Sequence, residues 1–245
     1  RGLGDVYKRQ AIYYSVGTDS SVLYSGNASA SSGLLTLASA AADKIGVGDE
    51  VRVGSNRYYI TRRNSSTQFN IQNSGANGGT PGDTNITFSS QSITIYRAFN
   101  KLSTAESNSP DSNHLKTSDL VTGNYQLNWP CYNDGPMNDH VTIDGYTTGA
   151  NYYIKVYTPV FLNEVGKSQR HTGKARTGFR LQPNDPPNDY DTIIVRDNYV
   201  RIEGIEIDGS LYSGSYGYGG VWLDTQTASP VEHHVSHNII YATGT

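Results

Sequence analysis

The chain has 245 residues, a net charge of −3 and only 17% charged residues, so it can bury a core without disulfide or metal staples and offers no basic surface to phosphate backbones. Its single cysteine, Cys131, closes no intrachain disulfide and builds neither a CxxC pair nor a Cys/His zinc pattern. No apolar run, "LLTLASAAA" at 34–42 included, reaches the roughly 18 residues that cross a bilayer, so neither nucleic acid nor membrane insertion is expected.

Residues 1–10, RGLGDVYKRQ, have no apolar h-region and no small-residue cleavage site, and do not read as a secretory signal. With ordinary codons, Gly4 to Gln10 resemble a transposase-library adapter read in frame. Residues 1–10 are therefore read as an adapter artefact, and the chain as the N-terminal fragment of a longer protein from a metagenomic assembly. On that reading, a missing signal peptide carries no information about location.

Residues 11–90 read as a small antiparallel β module with its linker. Gly (26) and Tyr (19) are abundant, and "YYSV", "LLTL", "DEVRV", "RYYITR" and "FNIQN" are strand candidates between Gly/Ser/Asn turns. Glu50–Val53 and Tyr58–Arg62 largely alternate apolar with polar residues, as a half-buried hairpin does, and Gly54-Ser55-Asn56 supplies its turn. The Gly/Pro-rich stretch 74–84 closes the module.

Residues 91–245 then begin with a helical signal. Ile95, Ala98, Phe99 and Leu102 fall at i, i+3, i+4 and i+7, with Ser92 or Thr94 as N-cap, which predicts an amphipathic helix over 93–102. In "NYQLNWPCY", Tyr125, Leu127, Trp129 and Cys131 share a strand face, with Pro130 favouring an edge or irregular position. Further short strands follow at 140–145, 152–158, 178–182, 192–197, 199–209, 220–225 and 233–241. Ile202, Gly204, Ile205 and Ile207 correspond to Val235, Asn238, Ile239 and Tyr241, each set forming strand, bend and strand at a solenoid-like offset. A unit of this kind buries its aliphatic residues by stacking on the next. An all-β, right-handed parallel β-helix follows, truncated at the C-terminus, with an antiparallel sandwich as the alternative.

"DNYVRIEGIEIDG", then "GGVWLDT" and "VSHNIIY", resemble the coils of right-handed parallel β-helix proteins of the pectin-lyase-like superfamily, and Ile93–Leu102 resembles the helix that caps such a solenoid. The resemblance covers residues 92–241 and implies an N-terminal amphipathic capping helix. It also implies an extracellular or cell-surface protein that binds polysaccharide, with polysaccharide lyase or glycoside hydrolase activity on acidic polymers as the enzymatic form. The alternative is a non-catalytic adhesin or a phage tailspike-like fibre, which would be a homotrimer. Superfamily likeness speaks to fold more than to function.

Candidate chemistry falls in four places. Asp185, Asp189 and Asp191 in "NDPPNDYD" offer oxygen ligands to calcium, though without the spacing of a calcium loop, and a solvated turn is the plainer alternative. Arg170, His171, Lys174 and Arg176, with Lys167 and Arg180, could bind uronate carboxylates or form salt-bridged loops. Tyr212, Tyr216, Tyr218 and Trp222 could stack on sugar faces or pack back on the strands. His233, His234 and His237 lack the Glu of a helical zinc-hydrolase motif and, in a strand, alternate faces. Catalytic residues are not identifiable.

Overall fold

The structure is a computed structural model that describes residues 9–184, 191–211, 219–224 and 231–242. Strand β1 (Gln10–Tyr13) leads into six strands that close an antiparallel barrel. These are β2 (Tyr24–Ser31), β3 (Leu34–Leu37), β4 (Glu50–Val53), β5 (Asn56–Arg63), β6 (Gln68–Asn73) and β7 (Phe88–Tyr96), in the order β2-β3-β6-β5-β4-β7. Strand β7 pairs with β2 on one side and β4 on the other, so the sheet has no free edge. Val51, Val53, Ile60, Phe69, Ile71, Ile93 and Ile95 fill the interior. The β4–β5 hairpin turns through Gly54 and Ser55 between paired Val53 and Asn56, and the φ of +58° at Gly54 is one that glycine adopts without steric cost.

The outer face of β5 is also covered. Tyr59 is fully buried, yet it belongs to a second core, while its neighbour Ile60 lies in the barrel. Strand alternation places the two side chains on opposite sides.

After the barrel come two short helices, α1 (Leu102–Asn108) and α2 (Leu120–Gly123). Lys101 makes no side-chain cap for α1. Asp139 serves instead, accepting from the Ser103 N–H at 2.8 Å and the Ser103 hydroxyl at 2.7 Å. In α2 the Asp119 side chain caps through the Thr122 N–H.

The remaining strands are β8 (Tyr125–Pro130), β9 (Pro136–Met137), β10 (Val141–Ile143), β11 (Ile154–Tyr157), β12 (Arg180–Leu181), β13 (Asp191–Val195), β14 (Val200–Glu203), β15 (Glu206–Asp208), β16 (Gly219–Leu223), β17 (His234–Ser236) and β18 (Ile239–Tyr241). They form three parallel sheets, β1-β8-β11-β14-β17, β9-β12-β15-β18 and β10-β13-β16. Leu127, Trp129 and Val156 from the first, Leu181 and Ile207 from the second, and Ile193 and Val195 from the third meet in the second core.

This architecture corrects the sequence expectation. The chain does not form a single right-handed parallel β-helix with a capping helix in front of it. It is a mixed β structure in which a closed antiparallel barrel accompanies three small parallel sheets, and β1, from before the barrel, pairs with β8 from after it. The expected helix over 93–102 is absent. Ile93 and Ile95 alternate into the barrel, where pairing with β2 and β4 satisfies the backbone, and α1 starts only at Leu102. The helical spacing of Ile95 and Phe99 is real, but the two residues serve different cores. Pro130 also ends an interior strand rather than an edge one, since β8 is flanked by β1 and β11.

In the last two strand pairs, Ile202 pairs with Val235 and Ile207 with Ile240 at one offset, so Ile207 corresponds to Ile240 and not, as the sequence correspondence has it, to Tyr241. Gly204 and His237 occupy corresponding bends, with φ of +77° and +57°. Asn238 stitches the two together, accepting from the Ile205 N–H at 3.0 Å and donating to the Ile202 carbonyl at 3.1 Å. No helix among the described residues is long and apolar enough to cross a membrane.

Candidate functional site

A polar cleft of about 450 Å³ opens where the barrel meets α1 and the loop after it. One wall is the β4–β5 hairpin. In its register Arg52 lies directly opposite Arg57, a like-charge pair that costs stability unless something neutralises it. Glu50 does so. Its carboxylate is almost wholly buried, is bonded by Arg52 Nε, lies 3.6 Å from Arg57 Nη1 and accepts the Tyr59 hydroxyl at 3.2 Å. Arg52 also lies 4.2 Å over the ring of Tyr96 at the end of β7. The terminal nitrogens of Arg52 make no hydrogen bond to the described residues, and Arg57 keeps most of its donors free. Both side chains are about 40% exposed, at 42% and 41%.

The opposite wall carries His114, which is buried except toward the cleft. Its Nδ1 is 2.7 Å from Asp111 Oδ1, and the ring lies 4.9 Å from Phe99 and 5.0 Å from Tyr14. An ionised carboxylate only accepts, so in the neutral imidazole Nδ1 carries the proton and Nε2 is left as an acceptor. Asp111 is itself fixed by the N–H groups of Asn113 and His114. Asn100, Asn108 and Asn113 add amides to the rim.

Arg97 closes the floor and is not available to a ligand. Its Nη1 donates to both oxygens of Asp49, Nε and Nη2 to Asp134, and Nη2 also to the Lys44 carbonyl, with Tyr132 stacked 3.6 Å away. Burial alone would lower its pKa, but Asp49 and Asp134 outweigh that and push it further up.

The residues singled out from the sequence lie elsewhere. Arg170 donates to Glu203 at 2.8 Å, and the His171 Nε2–H to the His237 carbonyl at 2.6 Å. Arg176 and Arg180 face Asp208 at 3.5 and 3.8 Å. The loop that carries them folds the N–H groups of Arg176, Thr177 and Gly178 onto the fully buried Glu206 carboxylate, so its anion-binding backbone is occupied by the chain's own acid. Lys174 is exposed. Trp222, on β16, is 42% exposed, and Asp191 begins β13 opposite Gly219. Asp185, Asp189, Tyr212, Tyr216 and Tyr218 lie outside the described residues. Among the described residues no three His, Cys, Asp or Glu side chains are grouped to hold a metal ion.

Sequence reasoning treated Glu50, Arg52 and Arg57 only as the polar half of a hairpin. Two arginines at matching distances from a Gly-Ser turn were the available signal, as was Asp-x-x-His at 111–114.

No protein family, no curated protein and no solved structure matches the chain. With the barrel and the three sheets, this overturns the likeness to pectin-lyase-like β-helix proteins, and the carbohydrate-related classification that came with it loses its basis.

Proposed function

We propose that the protein is a binding protein whose ligand carries an oxyanion that docks against Arg52 and Arg57, with a neighbouring hydroxyl of the ligand donating to His114 Nε2. One observation carries the reading: two arginines opposite each other in the hairpin register share a single buried carboxylate, and both line an open cleft. Bidentate donors of this kind suit a carboxylate, and the asparagine amides suit neighbouring hydroxyls. A ligand with a carboxylate beside hydroxyls, such as a sugar acid, carries both groups and serves as the probe.

The alternative is a non-catalytic surface fibre, in which Arg170 and Arg176, paired with Glu203 and Asp208, serve as scaffold. Calorimetric titration with oligogalacturonate and with a neutral glucan separates the two. Binding of the acidic oligomer alone, weakened about tenfold or more in Arg52→Gln/Arg57→Gln, supports the cleft. Binding of neither, or of both equally, refutes it. Repeating the titration with calcium reads whether that cation contributes.

A further inference from the structure

Between β11 and β12 the chain turns outward, and Phe161 and Leu162 stand 69% and 78% exposed at the tip. They are neighbours, and no other described large apolar side chain is as exposed as either. The tip is built rather than loose. Glu164 accepts from the N–H groups of Val160 and Phe161, the N–H groups of Glu164 and Val165 return to the Phe161 carbonyl, and Asn163 accepts from the Arg63 N–H of the barrel. Lys167 is tied to the Asp43 carbonyl on the other side. Isolated exposed apolar residues are ordinary, but a braced adjacent pair presents a surface.

The charges around the tip point to its partner. Arg62 and Lys167 are exposed, and neither is ion-paired among the described residues. The nearby acids are engaged: Glu164 in the turn, and Asp43 with Arg63 at 3.6 Å. Arg62 precedes the residue whose N–H holds Asn163 of the tip, and Lys167 follows the tip in the chain, so two exposed apolar side chains share this region with exposed cations. That combination matches the interface of an anionic bilayer, where rings and alkyl chains sink to the headgroup boundary and cations meet phosphates. We propose that Phe161 and Leu162, with Arg62 and Lys167, form a reversible docking site for an anionic lipid surface. The proposal is independent of the cleft.

Vesicles of phosphatidylcholine with about 30 mol % phosphatidylserine should carry the full chain into the pellet at low salt, and pure phosphatidylcholine about fivefold less of it. Phe161→Ser/Leu162→Ser should lower the bound fraction about tenfold with an unchanged circular dichroism spectrum. Arg62→Gln/Lys167→Gln should lower binding to the anionic vesicles alone, an independent arm should the serine variant fail to fold. A chain that stays in the supernatant at every composition overturns the proposal, as does a folded serine variant that pellets like the parent. Self-association that the serine variant abolishes, without vesicle binding, assigns the tip to a second copy and overturns it as well.

Discussion

Arg97 grips Asp49 through both carboxylate oxygens, at 2.7 and 2.9 Å, and so fastens the end of β7 to the start of β4 where the barrel meets the second core. Asp134 completes the clamp from the loop after β8. Both acids are buried, so removing the cation leaves two carboxylates without a counter-charge, though Asp49 keeps the Gly46 N–H at 2.9 Å. Arg97→Met should cost about 3–5 kcal/mol in chemical denaturation. Arg97→Lys keeps the charge but not the fork, and should lose less. Equal stability of Arg97→Met and the parent would show that the clamp contributes nothing net.

Glu50 offsets the repulsion between Arg52 and Arg57, and it also competes with any anion that enters the cleft. Glu50→Gln should therefore lower stability by about 1–2 kcal/mol while raising affinity for an acidic ligand about threefold. Calorimetry and thermal melts read the two effects separately. Weaker ligand binding in this variant would mean that Glu50 itself holds the ligand.

Burial raises the carboxyl of Glu106 to about 7 and that of Asp197 to about 6, although Asp197 accepts the N–H groups of Gly145 and Tyr146. Folded values above the unfolded ones, about 4, mean that the native state binds more protons between them. The stability they contribute is complete below about pH 4 and lost as pH rises through about 6 to 7. Glu106 is partly exposed, and the buried Asp197 keeps two N–H bonds that favour its charged form, so the effect is modest: Tm should fall by about 1–3 °C between pH 5 and 8, and Glu106→Gln should flatten the slope. Glu203 has the opposite sign. Burial opposes its charge, but Lys155 and Arg170 outweigh burial and hold it at about 2, so its contribution is lost only as pH falls from about 4 through about 2. Melts across pH 2–8 test both limbs.

Gly204 and His237 make the same left-handed bend in adjacent strand pairs, one with a side chain and one without. At Gly204 an added Cβ would run into Arg170 and Thr158. Gly204→Ala should cost about 2 kcal/mol or more, whereas His237→Gly should be neutral or stabilising by up to about 1 kcal/mol. The reverse order in urea denaturation would remove backbone strain as the explanation.

What could be read beforehand followed from local pattern. Strands β3 to β6 were visible because Leu35/Leu37, Val51/Val53 and Phe69/Ile71 keep period two around turn residues. Strand β7 was misread because Ile95, Ala98, Phe99 and Leu102 also satisfy a helical period, and only pairing with β2, far back in the chain, decides for the strand. Barrel closure is non-local in the same sense. The cleft was hidden for a related reason: Arg52 and Arg57 oppose each other only once the hairpin has closed, and His114 arrives from a loop beyond α1. The basic cluster at 167–180 was conspicuous in sequence, yet Arg170, Arg176 and Arg180 find partners in Glu203, Glu206 and Asp208, on later strands that turn these three arginines into scaffolding.

Strand β5 is a party wall, with Ile60 pressed into one chamber and Tyr59 into the other. Neither chamber can be vacated without tearing out the partition that keeps its neighbour dry. The molecule should therefore come apart in one step, with the Trp129 signal from the second chamber and loss of barrel structure tracing the same curve.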